Sequence, residues 1–427
     1  MNKWFQLNES STTVRQELIA GVVSFFTVVY IVIVNASILA DAGIPLEAGI
    51  IATVLTTVAG CLLMGLLGNT PIILVPGMGV NALFTYTIVQ SLGLSWQEAL
   101  GVVFISGVLF AVIAYSKLTE VISSAIPNAL KEAITVGIGL FLTFIGLQKG
   151  GIVSASETTF VKVGNFGDPA VIVTLLTLIV TVALFARNVP GNFLISILFG
   201  TAAAFALGVV DIEADTGEAF SAADYFNVFG ALSFQAIWEI PFWIAVFSLT
   251  MVIVFENIGL VNGHVNMIQK PERYKRSLQA NSLSAISSGV FGTSPTVSTV
   301  ETAAGISAGG RTGLTAITTG GLFLLSLLFL PYIKYIPDNA IAPILILIGG
   351  LMITNIQNIN LNDFTESFPA FLIIAFIPLT YSIVDGMAFG FVAYPLLKIL
   401  LKRQNEVEWP LYIIALLFLI NFFFHTV

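Results

Sequence analysis

Fourteen times between residues 17 and 402 the chain runs apolar for long enough to cross a membrane. Crossing about 30 Å of hydrocarbon takes roughly 17–25 residues of helix. The stretches fall at 17–40, 47–68, 70–90, 97–115, 131–149, 169–187, 192–210, 241–264, 277–292, 293–309, 313–333, 340–358, 366–384 and 386–402, and a further apolar segment covers 408–426. Charged residues make up 9% of the chain, against about 25% in a soluble protein, so a water-facing surface cannot be built from it. The fold class expected is an all-α polytopic membrane protein. The polar start through Gln16 followed by a long apolar run reads as a first span rather than a cleaved signal.

Several chemistries drop out. Cys61 is the single cysteine, and His264 and His425 are the two histidines. No disulfide framework, metal cluster or H-E-x-x-H helix can be assembled from these, so no metal or cofactor is expected. No basic tract suits nucleic acid, and no nucleophile stands beside a base, so the chain does not read as an enzyme.

The basic residues orient the spans. With the N-terminus in the cytoplasm, 13 of the 16 fall inside: Lys3, Arg15, Lys117, Lys131, Arg187, Lys270, Arg273, Lys275, Arg276, Arg311, Lys398, Lys402 and Arg403. Lys149, Lys162 and Lys334 fall outside, and the loop 211–240 carries Asp211, Glu213, Asp215, Glu218, Asp224 and Glu239 without a basic partner. This is the positive-inside pattern of a multi-pass cell-membrane protein. Trp4, Trp96, Trp238, Trp243 and Trp409 all sit at span edges, as an aromatic belt requires. Lys270–Arg276 reads as a solvated loop, His264 as interfacial, Arg311 as a cytoplasmic anchor and Asp385 as an outer-loop residue. Segment 408–426 is either an extra helix or one lying on the surface.

An internal repeat narrows the fold. Gly65-Leu66-Leu67-Gly68-Asn69-Thr70-Pro71 matches Gly289-Val290-Phe291-Gly292-Thr293-Ser294-Pro295, 224 residues on, and Asn35 aligns with Glu256 at an offset of 221. Seven spans separate the copies, so the second is inverted, which is the 7+7 architecture of secondary transporters. After the match, Pro71, Pro76, Gly77 and Gly79 prevent a continuous helix in span 3, and the β-branched run from Thr296 favours extended chain in span 10. Each should hold a short extended piece followed by a half-helix. Irregular backbone at membrane depth is tolerated only in protein or against a cavity, and a matched pair of breaks marks a binding site. Gly305–Gly309 reads as a packing face.

Two acids lie within spans with no basic neighbour: Glu256 in span 8 and Glu301 in span 10. Such residues are costly in hydrocarbon and normally line a cavity. The apolar helix around Glu256 disfavours its charged form, whereas a half-helix N-terminus after Ser298-Thr299 favours an ionised Glu301. A division of labour follows, in which Glu301 accepts hydrogen bonds and Glu256 gains and loses a proton. Asn81, in the span 3 half-helix, can donate and accept. Asn35 reads equally well as an interhelical hydrogen bond.

Gly-Met-Gly-Val-Asn-Ala (77–82), Phe-Glu-Asn-Ile-Gly (255–259), Val-Arg-Gln-Glu-Leu-Ile-Ala-Gly (14–21) and, above all, Gly-Thr-Ser-Pro-Thr-Val-Ser-Thr-Val-Glu-Thr-Ala-Ala-Gly-Ile-Ser-Ala-Gly-Gly-Arg-Thr-Gly-Leu (292–314) resemble the AzgA-like purine permeases, a branch of the nucleobase:cation symporter-2 family. The resemblance implies a core domain of spans 1–4 and 8–11 (17–115 and 241–333) and a gate domain of spans 5–7 and 12–14 (131–210 and 340–402). It also implies a homodimer that imports purine bases with protons by alternating access, its site formed by Glu256, Glu301 and Asn81. Looser likeness to the uracil permease branch adds Met78, Thr299 and Val300. Where the family usually has Phe-Asp-Thr in span 8, this chain has Phe255-Glu256-Asn257. An ionised carboxylate accepts the N1–H of guanine or hypoxanthine, which favours 6-oxopurines and leaves adenine open. A sodium-coupled nucleobase transporter and an anion transporter of the same fold are the alternatives.

Overall fold

The computed structural model describes residues 2–116, 119, 126–210 and 223–425; Lys117 and the acids Asp211, Glu213, Asp215 and Glu218 lie outside the described residues. The first half runs α1 (Val14–Val28), α2 (Ile31–Asp41), α3 (Leu46–Leu63, widening to a π turn through Gly68), β1 (Leu74–Pro76), α4 (Met78–Ala82, continuing as π-helix to Ser91), α5 (Trp96–Tyr115), α6 (Asn128–Lys149), a hairpin of β2 (Val153–Ser156) and β3 (Phe160–Val163), α7 (Pro169–Ala186) and α8 (Asn192–Ala206). The second runs α9 (Ile240–Met267), α10 (Tyr274–Phe291), β4 (Thr296–Ser298), α11 (Thr302–Ser307), α12 (Gly313–Ser326), α13 (Asp338–Met352), α14 (Phe364–Thr380) and α15 (Ile383–Leu400). The hairpin aside, the same order of long helix, long helix, strand with half-helix, then four helices occurs in both. Among the described residues nine helical segments are long and apolar enough to cross a membrane.

Small residues lock the halves together. A Cβ on Gly65 would lie 2.7 Å from the Gly313 carbonyl oxygen and 2.5 Å from Ile317 Cγ1. A Cβ on Gly289 would lie 2.8 Å from the Leu100 carbonyl oxygen and 3.0 Å from the Phe104 nitrogen. Each glycine therefore beds the second helix of its half against an i, i+4 ridge on the fourth helix of the other half, which gives the matched glycines a physical reason. A second group forms around α6 and α13, whose crossing has Gly139 against Gly349. Each lies eleven positions after its helix start at Asn128 or Asp338. Helix α14 packs on α6, α15 on α14, and α7 and α8 on each other and on α13. The closing helix α16 (Trp409–His425) is packed rather than surface-lying: Phe418 meets Phe391 of α15 at 5.7 Å and Phe247 of α9 at 5.5 Å.

Three sequence expectations are corrected. Helix α9 runs to Met267, so His264 is inside it and 4% exposed rather than interfacial. The loop at 270–276 is not wholly solvated. Arg273 is 7% exposed, donating to the Asn69 carbonyl at 2.5 Å, to Gln6 Oε1 at 3.1 Å and to Ser10 Oγ at 3.3 Å, because its fork satisfies carbonyls left free where α3 ends. Asp385 is not in a loop, since only Tyr381 and Ser382 separate α14 from α15 and Ser382 caps the first turn that contains it. The first span stands where it is expected, over Val14–Asp41, with a break in regular helix at Val29–Tyr30.

Candidate functional site

Three breaks meet at the centre of the first helical group: β1 before α4, β4 before α11, and the α1–α2 interruption. Strands β1 and β4 pair antiparallel, with Leu74 opposite Ser298, Val75 opposite Val297 and Pro76 opposite Thr296. Both are fully buried, so their remaining backbone donors need partners inside the protein. Side chains supply them: Ser288 Oγ accepts from Thr296 N at 3.0 Å, Asn257 Oδ1 from Ser298 N at 2.8 Å and Thr302 Oγ1 from Ile73 N at 3.2 Å. Two of the buried serines of α10 serve β4 in this way, Ser288 through the Thr296 backbone and Ser284 through the Thr296 hydroxyl at 2.5 Å.

Asn81 lies on α4 and is fully buried. Its Oδ1 accepts from Ser294 Oγ at 2.6 Å, and its Nδ2 has no partner among the described residues. Asn35 makes the interhelical bonds anticipated for it, donating to Thr53 Oγ1 at 2.8 Å and Thr293 Oγ1 at 3.0 Å. The comparable residue in the second half is Asn257, which bonds Asn281 and the Ser298 backbone. The hydrogen-bonding roles thus pair Asn35 with Asn257, one position past the register that matched it to Glu256.

Glu256 is half-buried on α9, its Oε1 3.7 Å from where a Cβ on Gly77 would sit. It thus reaches the hinge between β1 and α4. Glu301 occupies the N-cap position of α11, but its side chain makes no capping bond; Oε1 instead accepts from Tyr30 Oη at 2.7 Å. Thr299 Oγ1 is buried without a partner among the described residues, Val300 is 67% exposed and Met78 half-buried. The site faces the second group, since a Cβ on Gly79 would stand 3.2 Å from Ile138 Cγ2 of α6.

Sequence reasoning missed Tyr30, Ser294, Asn257 and the contact of His264 Nδ1 with Ser298 Oγ at 3.0 Å. An amide one position past the Asn35 alignment was the available signal for Asn257. Nothing local to Tyr30 marks it, because its partner is 271 positions away. Arg311 is tied as an anchor, donating to the carbonyls of Ile306 and Gly310 at 2.6 and 2.8 Å, and Gly305 packs on Ser24.

A helical membrane fold with two half-helices beside half-buried acids is the architecture of a transporter. The fold is shared with the transmembrane domain of the cyanobacterial bicarbonate transporter BicA, at a TM-score of 0.67 and 17% identity over 87% of this chain and 96% of that one. It is shared too with SLC26A9, at 0.68 and 12% over 91% of this chain and 66% of that one. A family model described as "Permease family" matches residues 15–389. Nucleobase transporter PlAzg2 of Paenibacillus larvae is 55% identical over 90% of this chain and 77% of its own length. Guanine/hypoxanthine permease PbuO of Bacillus subtilis is 37% identical over 98% and 99%, and adenine permease AdeP of Escherichia coli 34% over 99% and 96%. The chain belongs to this permease family, the nucleobase:cation symporter-2 family, in its AzgA-like branch. It is a transporter, not an enzyme.

Proposed function

We propose that this chain imports purine nucleobases, 6-oxopurines preferred, by proton symport. The observation that carries the reading is that two acids and an amide lie on the paired breaks: Glu256 Oε1 beside Gly77, Glu301 at the start of α11, and Asn81 on α4 holding Ser294 next to β4. A purine edge offers N–H groups to carboxylate oxygens, and a 6-oxo group accepts from an amide. The relatives named for guanine and hypoxanthine and for adenine support the substrate class. Met78, Thr299 and Val300 complete the lining. Glu301 stays ionised and binds the base, and Glu256 carries the proton.

Fourteen spans with a cytoplasmic N-terminus, in a homodimer in the cell membrane, complete the proposal. The helices around α9 and α10 act as the core that carries the site, those around α6 and α13 as the gate. At the end assigned to the outside, Lys149 of α6 reaches Asp41 of α2 at 2.9 Å and Asp338 of α13 at 3.4 Å. This supports a conformation closed on that side, one step of an alternating-access cycle. The test is uptake of radiolabelled hypoxanthine, guanine and adenine in a host lacking its own purine permeases. Saturable hypoxanthine and guanine uptake is the expected result, and no uptake of any purine overturns the reading.

A further inference from the structure

We infer that Tyr30 is the positioning residue for Glu301: its hydroxyl ties down Oε1 and leaves Oε2 as the acceptor that a substrate N–H meets. The inference rests on the reading of Glu301 as a substrate ligand. Tyr30 sits at the α1–α2 interruption and is 3% exposed. Its ring stands edge-on to Phe193 of α8, centroids 4.7 Å apart, and Phe193 in turn stacks on Phe185 of α7 at 6.3 Å. The phenol is thereby held in one direction, and its hydrogen bond to Glu301 is a short 2.7 Å.

The need for such a holder is visible in the chain. Glutamate has two flexible bonds between Cβ and carboxylate, and Glu301 makes no capping bond to the half-helix it begins. Among the described residues, the Tyr30 hydroxyl is the hydrogen-bond donor its carboxylate has. A hydrogen bond to an ionised acceptor is stronger than one between neutral groups, so this contact fixes where the free oxygen points. Discrimination at a polar site depends on that placement, because a substrate lacking the matching N–H leaves a buried oxygen unpaired. The role assigned to Tyr30 is exerted through Glu301, the carboxylate its hydroxyl holds.

The test compares hypoxanthine uptake kinetics of the wild type, Tyr30→Phe and Glu301→Gln at matched membrane abundance, with competition by 1-methylhypoxanthine, which lacks the N1–H. Tyr30→Phe keeps the ring on Phe193 and removes only the hydroxyl. The expected result is a KM raised about tenfold with Vmax within twofold, and a severalfold loss of preference for hypoxanthine over its 1-methyl derivative, as for a charge-assisted contact removed. Wild-type KM and preference in Tyr30→Phe, or a fall in Vmax alone, while Glu301→Gln loses both, overturns the positioning role and spares the site. Wild-type KM and preference in Glu301→Gln overturns the site reading and this inference with it. If Tyr30→Phe fails to accumulate in membranes, Phe193→Leu serves in its place. It loosens the ring and keeps the hydroxyl, and an unchanged preference there overturns the inference.

Discussion

The crossing of α6 and α13 gives a sharp test of how the two halves interlock. In Gly349→Ala the new methyl would meet the Gly139 carbonyl oxygen and Thr143 Oγ1, with the Thr143 nitrogen at 2.9 Å; in Gly139→Ala it would lie 2.7 Å from the Gly349 carbonyl oxygen. Backbone cannot swing aside as a side-chain tip can, so the helices must part. Overpacking of this kind costs about 1–3 kcal/mol. Gly350 is the internal control: it is one residue on in the same helix, exposed, and nothing lies within 4 Å of its Cβ position. There alanine is expected to stabilise by about 1 kcal/mol through helix propensity. The two variants should therefore differ by about 2–4 kcal/mol. With an unfolding entropy of about 2.1 cal/mol/K per residue, a chain this size shifts about 1 °C per kcal/mol. The assay is thermal unfolding of purified protein in detergent, with Tm for Gly349→Ala about 2–4 °C below Gly350→Ala. Equal Tm values, or a lower one for Gly350→Ala, would refute the close crossing.

Other outcomes follow from the same geometry. Arg273→Lys should lower Tm by more than Arg276→Lys, since a lysine cannot reach the acceptors on Asn69, Gln6 and Ser10 together; equal losses would contradict the buried fork. Near the end assigned to the cytoplasm, Thr365 and Arg403 lower Asp363 from 3.8 to about 2, and Arg403 and Lys398 lower Glu406 from 4.5 to about 2. Folded-state values below the unfolded ones mean that this contribution is complete above the ordinary carboxyl range and lost as pH falls through about 2. The Tm difference between wild type and Arg403→Gln should thus hold steady from pH 8 to 5 and shrink below about 4; a difference that grows on acidification would contradict it. Lys149→Met removes the ion pairs to Asp41 and Asp338. It should speed labelling of a Met78→Cys reporter by a membrane-impermeant maleimide added outside, with Cys61 replaced by serine. Unchanged labelling would show that these pairs hold nothing closed.

Much of the fold was legible because the bilayer demands long apolar runs, and proline and glycine announce where a run cannot stay helical. The extended pieces at Leu74–Pro76 and Thr296–Ser298 lie within the two segments so marked. The acids were legible because a carboxylate far from any basic residue is conspicuous. What local pattern could not reveal was who satisfies whom. Tyr30 looks like any aromatic in an apolar helix until folding brings Glu301 to it, and the serines of α10 look like an ordinary polar face until β4 needs donors and acceptors at depth. Glu17 is the clearest case. At a span edge it reads as a solvated acid, yet it is fully buried, accepting from Arg311 N at 2.9 Å, Thr312 N at 3.2 Å and Thr315 Oγ1 at 2.6 Å. It holds the chain just ahead of α12, whose N-cap is Thr312, near a helix N-terminus that favours negative charge, and that role exists only once α1 and α12 are side by side.

The central claim is that Glu256 carries the proton. Its most direct test is hypoxanthine accumulation in proteoliposomes driven by an imposed pH gradient, with a sodium gradient as comparison, for wild type and Glu256→Gln. The account predicts accumulation with the pH gradient alone in the wild type. In Glu256→Gln it predicts gradient-independent exchange without accumulation. Accumulation that follows the sodium gradient, or that persists in Glu256→Gln under the pH gradient, would contradict it.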